Sequence, residues 1–393
     1  VFTPGAPVNE KDLFSGRIEQ IGKVLSAISQ RGYHGVLYGE RGVGKTSLSN
    51  ILHSMLPSRE GWVIARVNCD GDDTFSSLWR KAFSDVTVTT DHQSLGFISG
   101  TIKATQTIAD GLPADLSPDL VRRQLGALAQ QANTLFIFDE FDRILNQQVA
   151  RLMADTIKAL SDFSVNSTIL LIGVADSVDD IVAGHQSIER ALVQIPMPRM
   201  SPEEIGKIIK TGFDRLGMAI DPAASKEILN LSQGLPYIAH LLALHSGKSA
   251  LIKGRKDVTH ADVEAGITIS LEDWQQSTKK AYSDATQSAQ PGNLYKAVLL
   301  ACALSETDDL GFFTASSVRY PLRAITGRDY DIPNFAQHLK NFSEASRGSI
   351  LFRTGQARRI RYRFSGPLLR PYIVMSGLKD GLLKRKVLAS LTS

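Results

Sequence analysis

The eight residues Gly39-Glu40-Arg41-Gly42-Val43-Gly44-Lys45-Thr46 set glycines, one amine and one hydroxyl at the spacing GxxxxGK[ST]. A short apolar run, Gly35–Tyr38, precedes them and a helical pattern, Thr46–Met55, follows, which predicts a strand-to-helix turn. Glycines at such a turn let successive backbone N–H groups wrap phosphate oxygens, and the helix N-terminus adds its partial positive charge. In that setting Lys45 reaches the terminal phosphates, Thr46 takes a Mg²⁺ position, and Ser47 completes the set. The chemistry expected is capture of ATP or ADP with Mg²⁺.

A second constellation lies downstream. Leu135-Phe136-Ile137-Phe138 is a buried-strand pattern that ends in two carboxylates, Asp139 and Glu140. Asp139, at the strand's exit, is expected to hold Mg²⁺ through water, and Glu140 to polarise the attacking water, which is most of what phosphoryl transfer asks of protein groups. Asp142 and Arg143 continue the turn and are expected to form structural ion pairs. The reaction implied is ATP hydrolysis.

Residues 1–200 must position these groups. Short runs rich in Val, Ile, Leu and Phe at Gly35–Tyr38, Trp62–Asn68, Leu135–Asp139 and Thr168–Val174 alternate with helical stretches, the pattern of a parallel sheet flanked by helices. The helices are expected at Ile18–Ser29, Thr46–Met55, Thr74–Phe83, Pro118–Ala132 and Gln148–Ser164. The Thr/Ser/Gly-rich stretch Ser84–Thr105 reads as a hairpin or an insertion. From Ser201 the pattern becomes all-helical, opening on a capping box of Ser201, Pro202 and Glu204. That gives a lid over 201–271, then a polar connection over 272–292 that ends in Gln290-Pro291-Gly292.

The block 293–378 reads as three helices followed by a hairpin, Ser349–Thr354 and Arg359–Phe364, the order of a winged helix; a basic tail follows over 379–393. In the second strand Arg359, Arg361 and Arg363 alternate with Ile360, Tyr362 and Phe364, so a period of two puts the guanidinium groups on one face. With Arg353 and Arg358, and no acid between Ala345 and Arg370, this is the densest positive charge in the chain. Two readings stand: phosphate contact on double-stranded DNA, with the helix from Ile332 to Glu344 in a groove, or a module packed on the nucleotide-binding part through those arginines.

On these motifs residues 1–270 resemble an AAA+ ATPase, similar to the origin-recognition initiator-like and STAND branches. The residues carrying the resemblance are Phe14-Ser15-Gly16-Arg17, the glycine loop, Asp139-Glu140-Phe141-Asp142, Ile172-Gly173-Val174-Ala175-Asp176 and Gly234-Leu235-Pro236. The resemblance implies a parallel-sheet P-loop core (α/β), an all-α lid and a C-terminal winged helix. It implies that Pro7, Val8 and Phe14 border the adenine, or else pack as an N-terminal arm. Asp176 stands where a γ-phosphate sensor is usual, or caps the next helix. Arg190 stands where an arginine finger reaches a neighbour's ATP in a homo-oligomer, or is a surface arginine. Tyr237, in Gly234-Leu235-Pro236-Tyr237, lies where the family commonly has a sensing arginine, and this departure implies slow, switch-like, partner-stimulated turnover.

Composition sets bounds on all of this. The 393 residues suffice for two or three domains; 43% are hydrophobic and 21% charged, as in ordinary globular chains. Two isolated cysteines, Cys69 and Cys302, argue against a disulfide framework or a zinc site, and a reducing, cytoplasmic location fits. No apolar run approaches the length of a membrane span. The first residue is Val, so a preceding segment is open. Two functions follow as expectations: a nucleotide-gated DNA-binding or loader ATPase, or a STAND-type signalling switch, for instance in phage defence, whose winged helix binds a protein partner.

Overall fold

The computed structural model describes residues 1–4, 17–56, 61–93, 101–174, 186–288, 290, 292–308, 310–356 and 359–391. Its centre is a five-stranded parallel sheet with helices on both faces, a P-loop AAA+ fold. In chain order the elements are α1 (Ile18–Ile28), β1 (His34–Tyr38), α2 (Lys45–Met55), β2 (Trp62–Asn68), α3 (Phe75–Ser84), the hairpin β3 (Thr87–Gln93) and β4 (Thr101–Thr107), α4 (Pro118–Leu128), β5 (Asn133–Asp139), α5 (Gln147–Asp162), β6 (Ser167–Gly173) and β7 (Leu192–Pro196).

The sheet order is β2-β5-β6-β1-β7. The strands that lead into the two sequence motifs are therefore central: β1 delivers the glycine loop and β5 delivers Asp139, with β6 hydrogen-bonded between them. Register fixes the site's inner edge, since Asn68 pairs beside Asp139 on the β2–β5 ladder. β6 is buried along its whole length and β5 along all but its first residue, which explains their unbroken apolar runs. On one face Trp79 packs against Phe83, Phe136 and Phe138 with ring centroids 5.1–5.6 Å apart. Truncating this fully buried indole to Ala should cost about 3–5 kcal/mol.

β7 has no counterpart among the expected strands. Leu-Val-Gln-Ile-Pro is short and ends in a residue without an N–H, and it is tolerated because β7 lies at the sheet's edge and pairs with β1 on one side. Of the Thr/Ser/Gly-rich stretch, the described residues Thr87–Gln93 pair antiparallel with Thr101–Thr107 as β3 and β4.

Beyond the sheet run α6 (Pro202–Arg215), β8 (Ala219–Ile220), α7 (Pro222–Ser232), α8 (Pro236–Ile252), β9 (Asp257–Val258) and α9 (His260–Glu272). The region expected to be purely helical thus holds one two-residue parallel pair, β8–β9. The segment expected as a polar connection contains the helix α10 (Gln276–Thr286), whose Thr278, Ala285 and Thr286 are buried; its polar sequence hides its packed face. The last block comprises α11 (Tyr295–Ala303), α12 (Ala315–Thr326), α13 (Ile332–Asn341), the hairpin β10 (Leu351–Thr354) and β11 (Arg361–Phe364), α14 (Leu369–Lys379) and α15 (Arg385–Leu391). Phe313 adds an antiparallel bridge to Tyr362. The basic tail folds back as α15: Arg385 meets Glu227 at 3.0 Å and Glu264 at 2.6 Å, and Leu388 is buried.

One apolar core joins these parts. Leu37, Ile137 and Ile172 on the second face of the sheet belong to the same cluster as Leu235 and Ile238 of the helical region that follows it and Leu300 and Ile373 of the C-terminal block. The C-terminal block is thereby seated against the glycine loop.

Candidate nucleotide site

The loop's glycines are required by its backbone. Gly42 and Gly44 have φ of 87° and 99°, a region that L side chains rarely adopt. A Cβ on Gly39 would fall 2.5 Å from the Met197 carbonyl oxygen, because β7 passes close beside the loop. The Gly234-Leu235-Pro236 turn lies over the loop: a Cβ on Gly42 would sit 4.0 Å from Leu235, and one on Gly44 4.0 Å from Pro236. Val43 is fully buried and anchors the loop in the core.

Lys45 opens α2 and points back into the loop, where its Nζ donates to the carbonyl oxygens of Gly39 at 2.8 Å and Glu40 at 2.7 Å. Burial pulls its pKa down to about 8, against the opposing pull of Asp142, Asp139 and Glu40. The loop's own carbonyls are weak partners for a buried ammonium; a phosphate would be a stronger one. Thr46 and Ser47 occupy the following half-buried positions of the first helical turn.

Asp139 is 2% exposed at the end of β5. Its Oδ1 accepts from the Glu140 N–H at 3.0 Å and its Oδ2 from Arg66 Nη2 at 2.9 Å. Glu140 has φ 58°, a left-handed conformation unusual for a non-glycine residue, and its exposed carboxylate accepts from Arg143 Nη1 at 2.8 Å. Asp142 is not in an ion pair with Arg143: its Oδ1 accepts the Val174 N–H at 2.8 Å, tying the exit of β5 to the end of β6. The expected ion pair of Arg143 thus forms with Glu140.

The donor set fits Mg²⁺ held jointly with nucleotide. Magnesium commonly uses one or two carboxylates plus substrate phosphates, and Asp139 with the Thr46 hydroxyl supplies that kind of set. Among the described residues no three His, Cys, Asp or Glu side chains converge as a self-sufficient metal site. Bound Mg²⁺ would supply charge neutralisation on the phosphates.

Three arginines carry contacts that motif spacing alone does not reveal. Arg17 is buried, with φ 63°; its Nη2 donates to Val43 O at 3.0 Å and Pro198 O at 2.6 Å, and its N–H donates to Glu204 at 2.9 Å. It pins the loop to the start of α6, and its signal in the sequence is the Phe14–Arg17 motif. Arg199 Nε donates to Glu40 Oε2 at 2.8 Å. Arg66, on the edge strand β2, reaches Asp139 as described.

The remaining expected residues are dispersed. Tyr237 is half-buried in the first turn of α8; Arg190 is exposed on a 3₁₀ turn just before β7. Pro7, Val8, Phe14, Asp176 and Arg358 lie outside the described residues. Phe2, on the N-terminal arm, packs edge-on against Phe213 and His240. On the hairpin Arg353, Arg359 and Arg361 are exposed, with Arg361 pairing with Asp308 at 3.2 Å. Arg363 is half-buried over the Phe312 ring and lines a narrow cleft shared with Glu40, Arg41, Arg199 and Arg370. Arg370 donates to the carbonyls of Ala303 and Ser305, and burial lowers its pKa to about 9.

A loop of this shape over a strand-end carboxylate has known relatives. Residues 28–182 match the family model described as an AAA domain. That span contains the glycine loop, Asp139 and Glu140. Two solved structures resemble the whole chain. One is a Walker-type ATPase of Pyrococcus abyssi, 16% identical over 94% of this chain and 98% of that one, with a TM-score of 0.54. The other is the Aeropyrum pernix ORC2 protein in ADPNP–ADP complexes, 14% identical over 98% of each chain, with a TM-score of 0.51. At these identities the likeness is one of fold. No curated protein matches the chain. Among the described residues no helix is long and apolar enough to cross a membrane.

Proposed function

We propose that this chain binds ATP with Mg²⁺ in the loop Gly39–Thr46 and hydrolyses it slowly. The observation that carries this reading is Lys45 folded into a loop of left-handed glycines, with the buried Asp139 beyond one intervening strand. Lys45 would hold the β- and γ-phosphates, Asp139 and Thr46 the metal, and Glu140 the attacking water. Slow turnover is supported by the Glu140–Arg143 pair, which occupies the carboxylate the water needs. The nucleotide complexes of the ORC2 protein agree with the ligand class. Exposure of Arg190 is consistent with a finger reaching a second copy. The test is Glu140→Gln: nucleotide affinity should stay within a few-fold while turnover drops about a hundredfold. Turnover at the wild-type rate would remove Glu140 from the role.

We propose further that the last block is a winged helix, supported by three helices, the β10–β11 hairpin and the Phe313–Tyr362 bridge. Its exposed Arg353, Arg359 and Arg361 would contact double-stranded DNA. One observation favours the second reading, a switch: Arg363 and Gly311 face Glu40 of the glycine loop, so nucleotide occupancy would bias how this block is seated. The two readings are compatible if nucleotide controls access to the hairpin.

A further inference from the structure

The guanidinium of Arg66 lies on the metal side of the site although β2 is the strand furthest from the glycine loop's own strand that still touches β5. Along β2, Arg66 and Asn68 alternate with Val67 and share the face on which Asp139 stands, because Asn68 is in register with Asp139. Arg66 Nη2 bonds Asp139 Oδ2 at 2.9 Å and Asn68 Oδ1 at 3.1 Å, and its Nη1 bonds Asn50 Oδ1 on α2. Its Nε is buried and has no hydrogen-bond partner among the described residues. The arginine is therefore built into a cleft between α2 and β2, and the carboxylate assigned to the metal is its charged partner.

A carboxylate as buried as Asp139 needs a counter-charge. Arg66 supplies it within the chain. A bare divalent ion approaching Asp139 would have to displace the guanidinium, which would keep amide oxygens alone as acceptors while half-buried. A metal arriving on a triphosphate is already ligated and largely neutralised, and it engages Asp139 through water without that displacement. We propose that Arg66 is the resident counter-ion of Asp139 and makes the site refuse free Mg²⁺, so that metal enters only as the nucleotide complex. This rests on the nucleotide reading above for its consequence, though the Arg66–Asp139 competition itself is separable from it.

The experiment is Mn²⁺ binding to the nucleotide-free protein, followed by the loss of the free-ion electron paramagnetic resonance signal. Arg66→Gln should bind Mn²⁺ about tenfold or more tighter than the parent, Arg66→Lys should stay near the parent, and adding Asp139→Asn to Arg66→Gln should abolish the gain. If Arg66→Gln does not fold, Asn50→Ala, which loosens the guanidinium while keeping it, must raise Mn²⁺ affinity in the same sense. Equal Mn²⁺ affinity in parent and variant, or a gain that survives Asp139→Asn, overturns the proposal. Magnesium-ADP binding measured on the same samples keeps the two ideas apart. Its absence from both proteins would count against the nucleotide reading, while the Mn²⁺ comparison would still decide the role of Arg66.

Discussion

Glu40 and Arg199, 159 positions apart in sequence, meet with Nε 2.8 Å from Oε2, and both side chains are largely buried. Glu40 is a member of the glycine loop, and its backbone carbonyl is one of the two that hold the Lys45 ammonium. Arg199 also donates to the Gln233 carbonyl, just before the turn that covers the loop. One residue thus links the Lys45 amine to the Gly234-Leu235-Pro236 turn, and its other carboxylate oxygen lies against Gly311 of the C-terminal block.

Gly311→Ala tests that link. At φ 78° a Cβ is strained, and here it would lie 2.5 Å from Glu40 Oε1, so the carboxylate must move. Hydrogen exchange at Phe313 and Tyr362 should speed up in the variant. Gly217→Ala is the control, since it has φ 62° and open space around the added methyl. Equal changes in the two variants would mean that backbone strain alone, with no part played by Glu40, explains the effect.

Arg143→Ala should free the Glu140 carboxylate. Steady-state ATP consumption is expected to rise a few-fold, with nucleotide affinity little changed, because the pair is exposed and screened by solvent. A drop comparable to that of Glu140→Gln would show instead that Arg143 acts in the reaction.

The hairpin arginines are tested by a gel shift on duplex DNA across a salt series. Arg353, Arg359 and Arg361 changed together to Ala should weaken binding uniformly across sequences and flatten the salt slope by about one for each phosphate no longer neutralised. No shift by the parent protein under any nucleotide condition would leave the protein-partner reading.

His34 makes stability depend on pH. It is fully buried in β1, its Nδ1 accepts the Ile169 N–H at 3.0 Å, and burial lowers its pKa from 6.5 to about 3. Between those values the unfolded chain binds a proton that the folded chain does not, so stability falls as pH drops below 6.5. The slope is about 1.4 kcal/mol per pH unit, or about 2 kcal/mol between pH 6.5 and 5. His34→Asn keeps an acceptor without the titration; urea unfolding at the two pH values should show a smaller loss. An identical loss would assign the pH dependence to other groups.

Much of the core was legible because its patterns have few other uses. An unbroken apolar run ending in Asp139-Glu140 suits a central parallel strand, and positive φ at Gly42 and Gly44 leaves glycine as the fitting residue. The pairings were not legible. Arg66 sits in a strand that reads as apolar with one polar interruption, and nothing local says that it meets a carboxylate 73 positions away. Arg199 is equally mute, since its partners Glu40 and the Gln233 carbonyl are distant in sequence. α10 was hidden by its polar composition and β7 by its brevity, since both elements owe their existence to neighbours and not to their own periodicity.

Calorimetric titration of the folded protein with magnesium-ATP and magnesium-ADP, beside Lys45→Ala, tests the central claim most directly. Saturable heat is expected from the parent protein, and an affinity reduced about a hundredfold or more in the variant, equivalent to about 3 kcal/mol. Absence of heat from the parent with either nucleotide, or undiminished affinity in Lys45→Ala, would contradict it.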